Sequence, residues 1–434
     1  MQVKANNFSH WLSMPVQISI IFRVRISNLS SSRSGLCQPL ILTRLQSELP
    51  MTTSALYLDY AATTPVDEQV IEAMVACMGR EGHFGNPASS GHGYGQVARQ
   101  AVEQARAQVA DAVGAPVDTI VWTSGATESN NLAIKGIAQD ASAQRRHIIT
   151  SVLEHKAVLD TVSTLERQGF PVTWLKPDAQ GLIQPQAVQA ALREDTLLVS
   201  LMLVNNELGT LTDIASIGAL VREHGALFHV DAAQGVGKVK VDLASLAVDL
   251  MSFSAHKAYG PKGIGALYVG PRAHSLLKAQ IHGGGHEGGF RSGTLATHQI
   301  VGMGTAFALA ISQADAENRR IEALSRHLRE GLLSLPDVQL NGCPQQRIPH
   351  TLNLCITRSG FTSAQLSHSL ALSSTSACNS ASNAPSHVLL ALGMDSAKAL
   401  ASVRVSLGRY TTQADVERAI EVFSKALSAP AAFW

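Results

Sequence analysis

Three short stretches, each directly behind an apolar run, hold the residues of this chain best placed to do chemistry. Lys257 ends Ser254–Ala255–His256–Lys257, behind Val248–Phe253 and just ahead of Gly260, Gly263 and Gly265. Burial disfavours an ammonium, so an amine at the end of a buried strand gives up its proton more easily and can form an imine with an aldehyde. Taken alone, the tetrapeptide fits an ordinary surface lysine better. Asp231 follows Leu227–Val230 and opens Asp231–Ala232–Ala233–Gln234. A carboxylate there is costly to bury without a cation. That cation is either a neighbouring Lys or Arg, or a protonated pyridine nitrogen that the anion keeps protonated, preserving the ring as an electron sink. Ser124–Gly125–Ala126–Thr127–Glu128 follows Thr119–Thr123 and opens a helix. Its free amides and partial positive charge suit a phosphate, with the Thr127 hydroxyl as an added donor. Such turns also occur simply as caps, and neither a G-x-G-x-x-G nor a Walker A sequence accompanies this one. An imine-forming amine, an anion for a ring nitrogen and a phosphate turn together point to pyridoxal phosphate.

A thiol adds a fourth element. Cys378 lies in Ser373–Ser382, a run of small polar residues that reads as an exposed loop. Cys343 and Cys355 sit beside a turn and within an apolar run, and read as structural.

The elements that must position these residues alternate from Met51 onward, short apolar runs with amphipathic helices, which is an α/β pattern. Val97, Ala101, Val102, Ala105, Val109 and Val113 recur at helical spacing until Gly114 stops them. Strands are expected at Thr119–Thr123, His147–Ser151, Val172–Leu175, Leu197–Val204, Leu227–Val230, Leu250–Phe253 and Gly265–Val269, seven in one sheet. Helices are expected over Glu128–Ile137 and His155–Gln168. Helical stretches at Leu295–Glu330 and Thr412–Leu427, with strands near Thr351–Ile356 and Val403–Ser406, suggest a smaller C-terminal domain. Ligands of such sheets collect at the carboxyl ends of the strands, where the reactive residues lie.

Composition excludes several classes. A chain of 434 residues, 45% apolar, can bury a large core. With 34 basic and 33 acidic residues it has no charge bias towards nucleic acid, so a small-molecule substrate is expected. Five cysteines without a C-x-x-C pair argue against a disulfide framework or a zinc site and fit a reducing compartment, the cytoplasm. Residues 1–50 are basic and serine-rich, superficially like a transit peptide, and are not expected to fold. Val16–Phe22 is too short to span a bilayer, so no membrane partner is expected. A start at Met51 is the favoured account, with an organelle-matrix targeting segment second.

The chain from Leu58 to about Thr411 resembles the cysteine desulfurases of the iron–sulfur-cluster assembly type, within the class V aminotransferases. The resemblance rests on Leu58–Pro65, Phe84–Ser89, Thr123–Ser129, Glu154–Ala157, Val204–Glu207, Phe253–Lys257 and His282–Glu287. It implies a pyridoxal-phosphate fold type I. A segment 51–66 would join a small α+β domain of 315–434, which carries the Cys378 loop. A large domain of 67–314 would hold a seven-stranded, mostly parallel sheet between helices. By this similarity Lys257 holds the cofactor and moves protons at the substrate Cα. His155 stacks on the ring and serves in acid–base transfer, as its near-neutral pKa suits. Asp231 pairs with the ring nitrogen and Gln234 with the ring oxygen, which Asn206 also approaches. Ala126, Thr127, Ser254 and His256 hold the phosphate, and Thr294 reaches the phosphate of the other subunit of a homodimer. Arg404 is a fork-shaped donor for the carboxylate of L-cysteine, with Asn206 beside it.

Cys378 is then the nucleophile that takes the sulfur as a persulfide, leaving alanine, and through that persulfide the candidate ligand of an iron–sulfur cluster. The rivals are a selenocysteine lyase or cysteine sulfinate desulfinase, a weakly active sulfur-relay platform and, more distantly, a transaminase. Thr375 and Ala255 stand where the family usually has glycine. The chain stops at Trp434, soon after its last helix, where family members continue with a tail that docks the cluster scaffold protein, so the identity of the sulfur acceptor is left open.

Overall fold

Mostly apolar runs of four to seven residues become strands, all but the half-buried edge strand Val172–Leu175 buried on both faces, and together they form the seven-stranded sheet that the sequence predicts. The computed structural model describes residues 55–142, 144–373 and 384–428. From one edge the strands are Ile120–Thr123, Gly265–Val269, Leu250–Ser254, Leu227–Asp231, Thr196–Met202, His147–Ser151 and Val172–Leu175. Only Gly265–Val269 runs against its neighbours. The other six point the same way, so their carboxyl ends share one rim. Sheets of this kind need helices on both faces, and two separate apolar clusters flank this one.

Three strands, His147–Ser151, Val172–Leu175 and Gly265–Val269, have the expected bounds, and the other four differ by one or two residues. Val117–Thr119 is a short 3-10 turn, so the first strand begins at Ile120. The helix Gly93–Val113 ends where Gly114 takes the left-handed conformation at φ 65°. Helices Glu68–Val75 and Ile214–His224 were not anticipated, although Asp213 caps the second and Gly225 closes it in a left-handed conformation.

A second core lies around the antiparallel sheet in which Thr351–Ile356 is flanked by Ser402–Ser406 and Val338–Asn341. Leu56–Tyr57 pairs in parallel with Leu370–Ala371, and Leu58 belongs to this core. Thr297–Leu333 is one uninterrupted helix of 37 residues. Its Ile300, Met303 and Phe307 pack in the large core, and its Ile321, Leu324, Leu328 and Leu332 in the small one. The passage from one core to the other, expected near residue 315, therefore falls inside a helix rather than in a linker. No helix among the described residues is long and apolar enough to cross a membrane.

Burial sets a pH dependence. His229, fully buried between Ser200 and Ser252, is pushed down to about 4, and His350 to about 3, in both cases by burial first. Between these values and 6.5 the unfolded chain binds protons that the native imidazoles refuse. Stability present above pH 6.5 is therefore lost as pH falls, by about 1.4 kcal/mol per unit for each histidine. Glu154, raised to about 8 by burial and then Asp231, acts in the opposite sense and offsets one of them. Urea midpoints measured from pH 7 to 5 should fall, and His229→Gln should flatten the slope; an unchanged slope would show that His229 does not supply it.

Candidate active site

The rim formed by the strand ends opens into a cavity of 410 Å³ lined by residues of both cores. Lys257 enters it from the 3-10 turn Ala255–Lys257, which follows the strand Leu250–Ser254. Its Nζ donates to the carbonyls of Ala61 and Ala62, both at 2.7 Å. Ala255 is buried without a positive φ, so the missing glycine there brings no backbone strain.

Asp231 ends the adjacent strand with 5% of its surface exposed. Its Oδ1 accepts from the amide of Ala233 at 3.0 Å and its Oδ2 from Asn130 Nδ2 at 2.8 Å. No Lys or Arg pairs with it among the described residues, which removes the structural ion pair as its explanation. A buried anion facing a cavity fits a cationic ring nitrogen. In the same cavity lining, Gly125 sits at φ 152° with open space at its Cβ position, and no side chain caps the helix Ala126–Ala138 behind it. The first-turn amides therefore face the cavity as a phosphate cradle. That turn can sit so low because Gly265 has no side chain: a Cβ there would lie 2.6 Å from Gly125 Cα.

His155 caps the helix Lys156–Arg167, its Nδ1 accepting from Ala157 N at 3.1 Å, and lines the cavity. Ser254, His256, Ala126, Thr127 and Asn206 line it as well. His256 Nδ1 lies 3.1 Å from Thr63 Oγ1, and burial followed by Lys257, Lys262 and Lys238 pushes its imidazole down to about 4, so it is neutral near pH 7. Gln234 donates to Ala61 O at 2.8 Å and accepts from Lys238 Nζ at 2.7 Å.

Arg404, 1% exposed, reaches the cavity from the small core. Its nitrogens donate to Asn206 O and Asp59 Oδ1 at 2.8 Å and to Ser373 Oγ at 3.0 Å, and its Nε has no partner. Thr294 is exposed and does not line this cavity. Cys378 and Thr375 lie outside the described residues. Ser373, the last described residue before that segment, is fixed by Arg404 and Asp59, and Ser386, two residues past its far end at Ala384, by Glu207.

A profile of the class-V aminotransferases matches residues 56–419, most of the chain. The chain belongs to that family. Cysteine desulfurase IscS of Azotobacter vinelandii is 58% identical over 365 residues, which cover 84% of this chain and 90% of that protein. The protein of the same name from Pseudomonas savastanoi pv. phaseolicola is 55% identical over 374 residues, 86% and 93% of the two chains. A solved NifS-like protein superposes with a TM-score of 0.79 at 35% identity, covering 86% of this chain and 99% of its own. SspA, solved in complex with cysteine, superposes at 0.74 with 40% identity, covering 82% and 100%.

The protein is a pyridoxal-phosphate-dependent cysteine desulfurase of fold type I. The cavity fits that cofactor: its lining brings together a phosphate cradle, a carboxylate with no cationic partner among the described residues, and an amine. Several residues that shape the desulfurase site had been assigned no role. Asn130 orients Asp231, and Glu128 accepts from Ser124 N at 2.7 Å and pairs with Arg291. Glu287 forms a buried pair with Arg106 at 2.7 Å and accepts from Trp122 N, fastening the glycine-rich segment to the edge strand. Asn130 lies one turn after Thr127, and that spacing was the only signal available.

Asn130→Ala should leave Asp231 Oδ2 without its donor. A hydrogen bond to a charged group contributes about 1.5–3 kcal/mol. Cofactor affinity, measured by equilibrium dialysis of the apoprotein, should therefore fall by roughly ten- to a hundredfold, and an unchanged affinity would remove Asn130 from the site.

Proposed function

We propose that this desulfurase converts L-cysteine to L-alanine and carries the sulfur as a persulfide on Cys378 to a thiol acceptor, with iron–sulfur cluster assembly as the destination. One observation carries this reading: Arg404, fully buried yet lining the cavity, lies in the same space as Lys257 and the phosphate cradle. A guanidinium committed to that position has the geometry to take a substrate α-carboxylate. The relative that was solved with cysteine supports the choice of amino acid.

The bound cofactor supplies an electron sink that acidifies the substrate Cα and loosens its Cβ–S bond. Around it, Arg404 and Asn206 hold and orient the carboxylate. Lys257 would hold the cofactor, and its amine would move the proton at the substrate Cα. His155 exchanges a proton with the substrate as general acid and base. The Cys378 thiolate attacks the substrate sulfur, the Cβ–S bond breaks, and Cβ takes up a proton as alanine leaves. One sulfur atom passes from substrate to enzyme, and no oxidant or reductant is needed until an acceptor thiol removes it.

A homodimer is part of the proposal, with Thr294 reaching the phosphate of the partner. Its exposure outside the chain's own cavity supports that role. The odd cysteine count supports a reducing compartment, and we place the protein in the cytoplasm.

Incubation with L-cysteine, followed by peptide mass spectrometry, should add one sulfur to the Cys378 peptide. Cys378→Ser should abolish that sulfur and reduce alanine formation to background; alanine formed at the wild-type rate would instead favour a lyase that needs no thiol. Arg404→Lys keeps the charge but loses the fork. It should lower kcat/KM for cysteine by about 10²-fold or more, as loss of a buried charge-assisted contact of roughly 3 kcal/mol implies.

A further inference from the structure

A second cavity, of 400 Å³, lies between the two cores behind Gln234. Lys238 reaches it from the large core, Asn318, Glu322, Arg326 and Arg329 from the shared helix Thr297–Leu333, and Arg347 from the turn ahead of Thr351–Ile356. Four cations thus face one carboxylate. None of the four forms an ion pair among the described residues, although Glu322 stands one helical turn from Arg326. Two buried polar atoms of the lining residues, Arg347 Nε and Asn318 Oδ1, have no hydrogen-bond partner. Like charges gathered with a single carboxylate among them repel one another and are relieved by an anion.

We propose that this cavity is a second ligand site, for a small multivalent anion bearing carboxylate or phosphoryl oxygens. Arg326 and Arg329 would supply the outer contacts and Arg347 the inner one. Lys238 joins this site to the first, because its Nζ donates to Gln234 Oε1 at 2.7 Å while the ammonium keeps further N–H bonds for the anion. Two features support the assignment. Burial, then Lys257 and Arg404, push the Lys238 ammonium down to about 7, against a smaller upward pull from Glu317. Burial and Arg329 likewise push Arg347 down to about 10. An anion placed between them favours the charged form of each, most of all that of Lys238, and through the Gln234 amide its arrival is felt at the cofactor's ring oxygen.

Calorimetric titration of the holoenzyme with sulfate and, separately, citrate, at ionic strength held constant with sodium chloride, tests the site. Saturable binding of one anion per chain is expected, and Arg326→Gln with Arg329→Gln should weaken it at least about tenfold, these exposed or half-buried side chains being removable without loss of fold. Tighter citrate binding would assign a polycarboxylate ligand, and tighter sulfate binding a phosphoryl-type one. Saturation should also shift the visible band of the bound cofactor in the wild type but not in Lys238→Met. Absence of saturable binding by both anions, or equal affinity in the double variant, would overturn the proposal. Neither isotherm depends on turnover of cysteine, so this result stands apart from the desulfurase assignment.

Discussion

The backbone carbonyl of Ala61 accepts from both Lys257 Nζ and Gln234 Nε2, and the geometry of the site depends on that shared acceptor. The segment that presents it is tied to the small core: Asp59 pairs with Arg404, and Ala61 N donates to Ser406 Oγ. A lysine and an amide of the large domain are thus aimed by a strap fastened to the other domain. Because the acceptor is main chain, no side-chain substitution in the strap removes it directly. Displacement of the strap would release both donors together.

Around that strap the site uses buried charge with few counter-charges. Asp231 is held by amides alone, and Arg404 is only partly matched by Asp59. Isolated, such groups would be destabilising, yet each lines the cavity where a group of opposite charge is to bind. Stability and chemistry therefore share these positions. Pairs that do not line the cavity, such as Arg106–Glu287 and Arg409–Asp67, are complete.

The sheet, its seven strands and the residues at its rim were legible because apolar runs bounded by glycine and polar residues leave a direct mark on sequence. Lys257, Asp231 and the Gly125 turn could be named from their places behind such runs. Asn130 and Glu287 could not, because their roles come from partners 101 and 165 residues away, fixed by packing rather than by local pattern. The Ile214–His224 helix was passed over although its flanking Asp213 and Gly225 marked it.

The helix Thr297–Leu333 spans about 55 Å at the usual rise per residue, and each end is embedded in a different core. It acts as a beam shared by two blocks. Rotation of one block against the other would bend the beam rather than turn on a loose joint. The spacing between the amine and the guanidinium is thereby held in advance of any ligand.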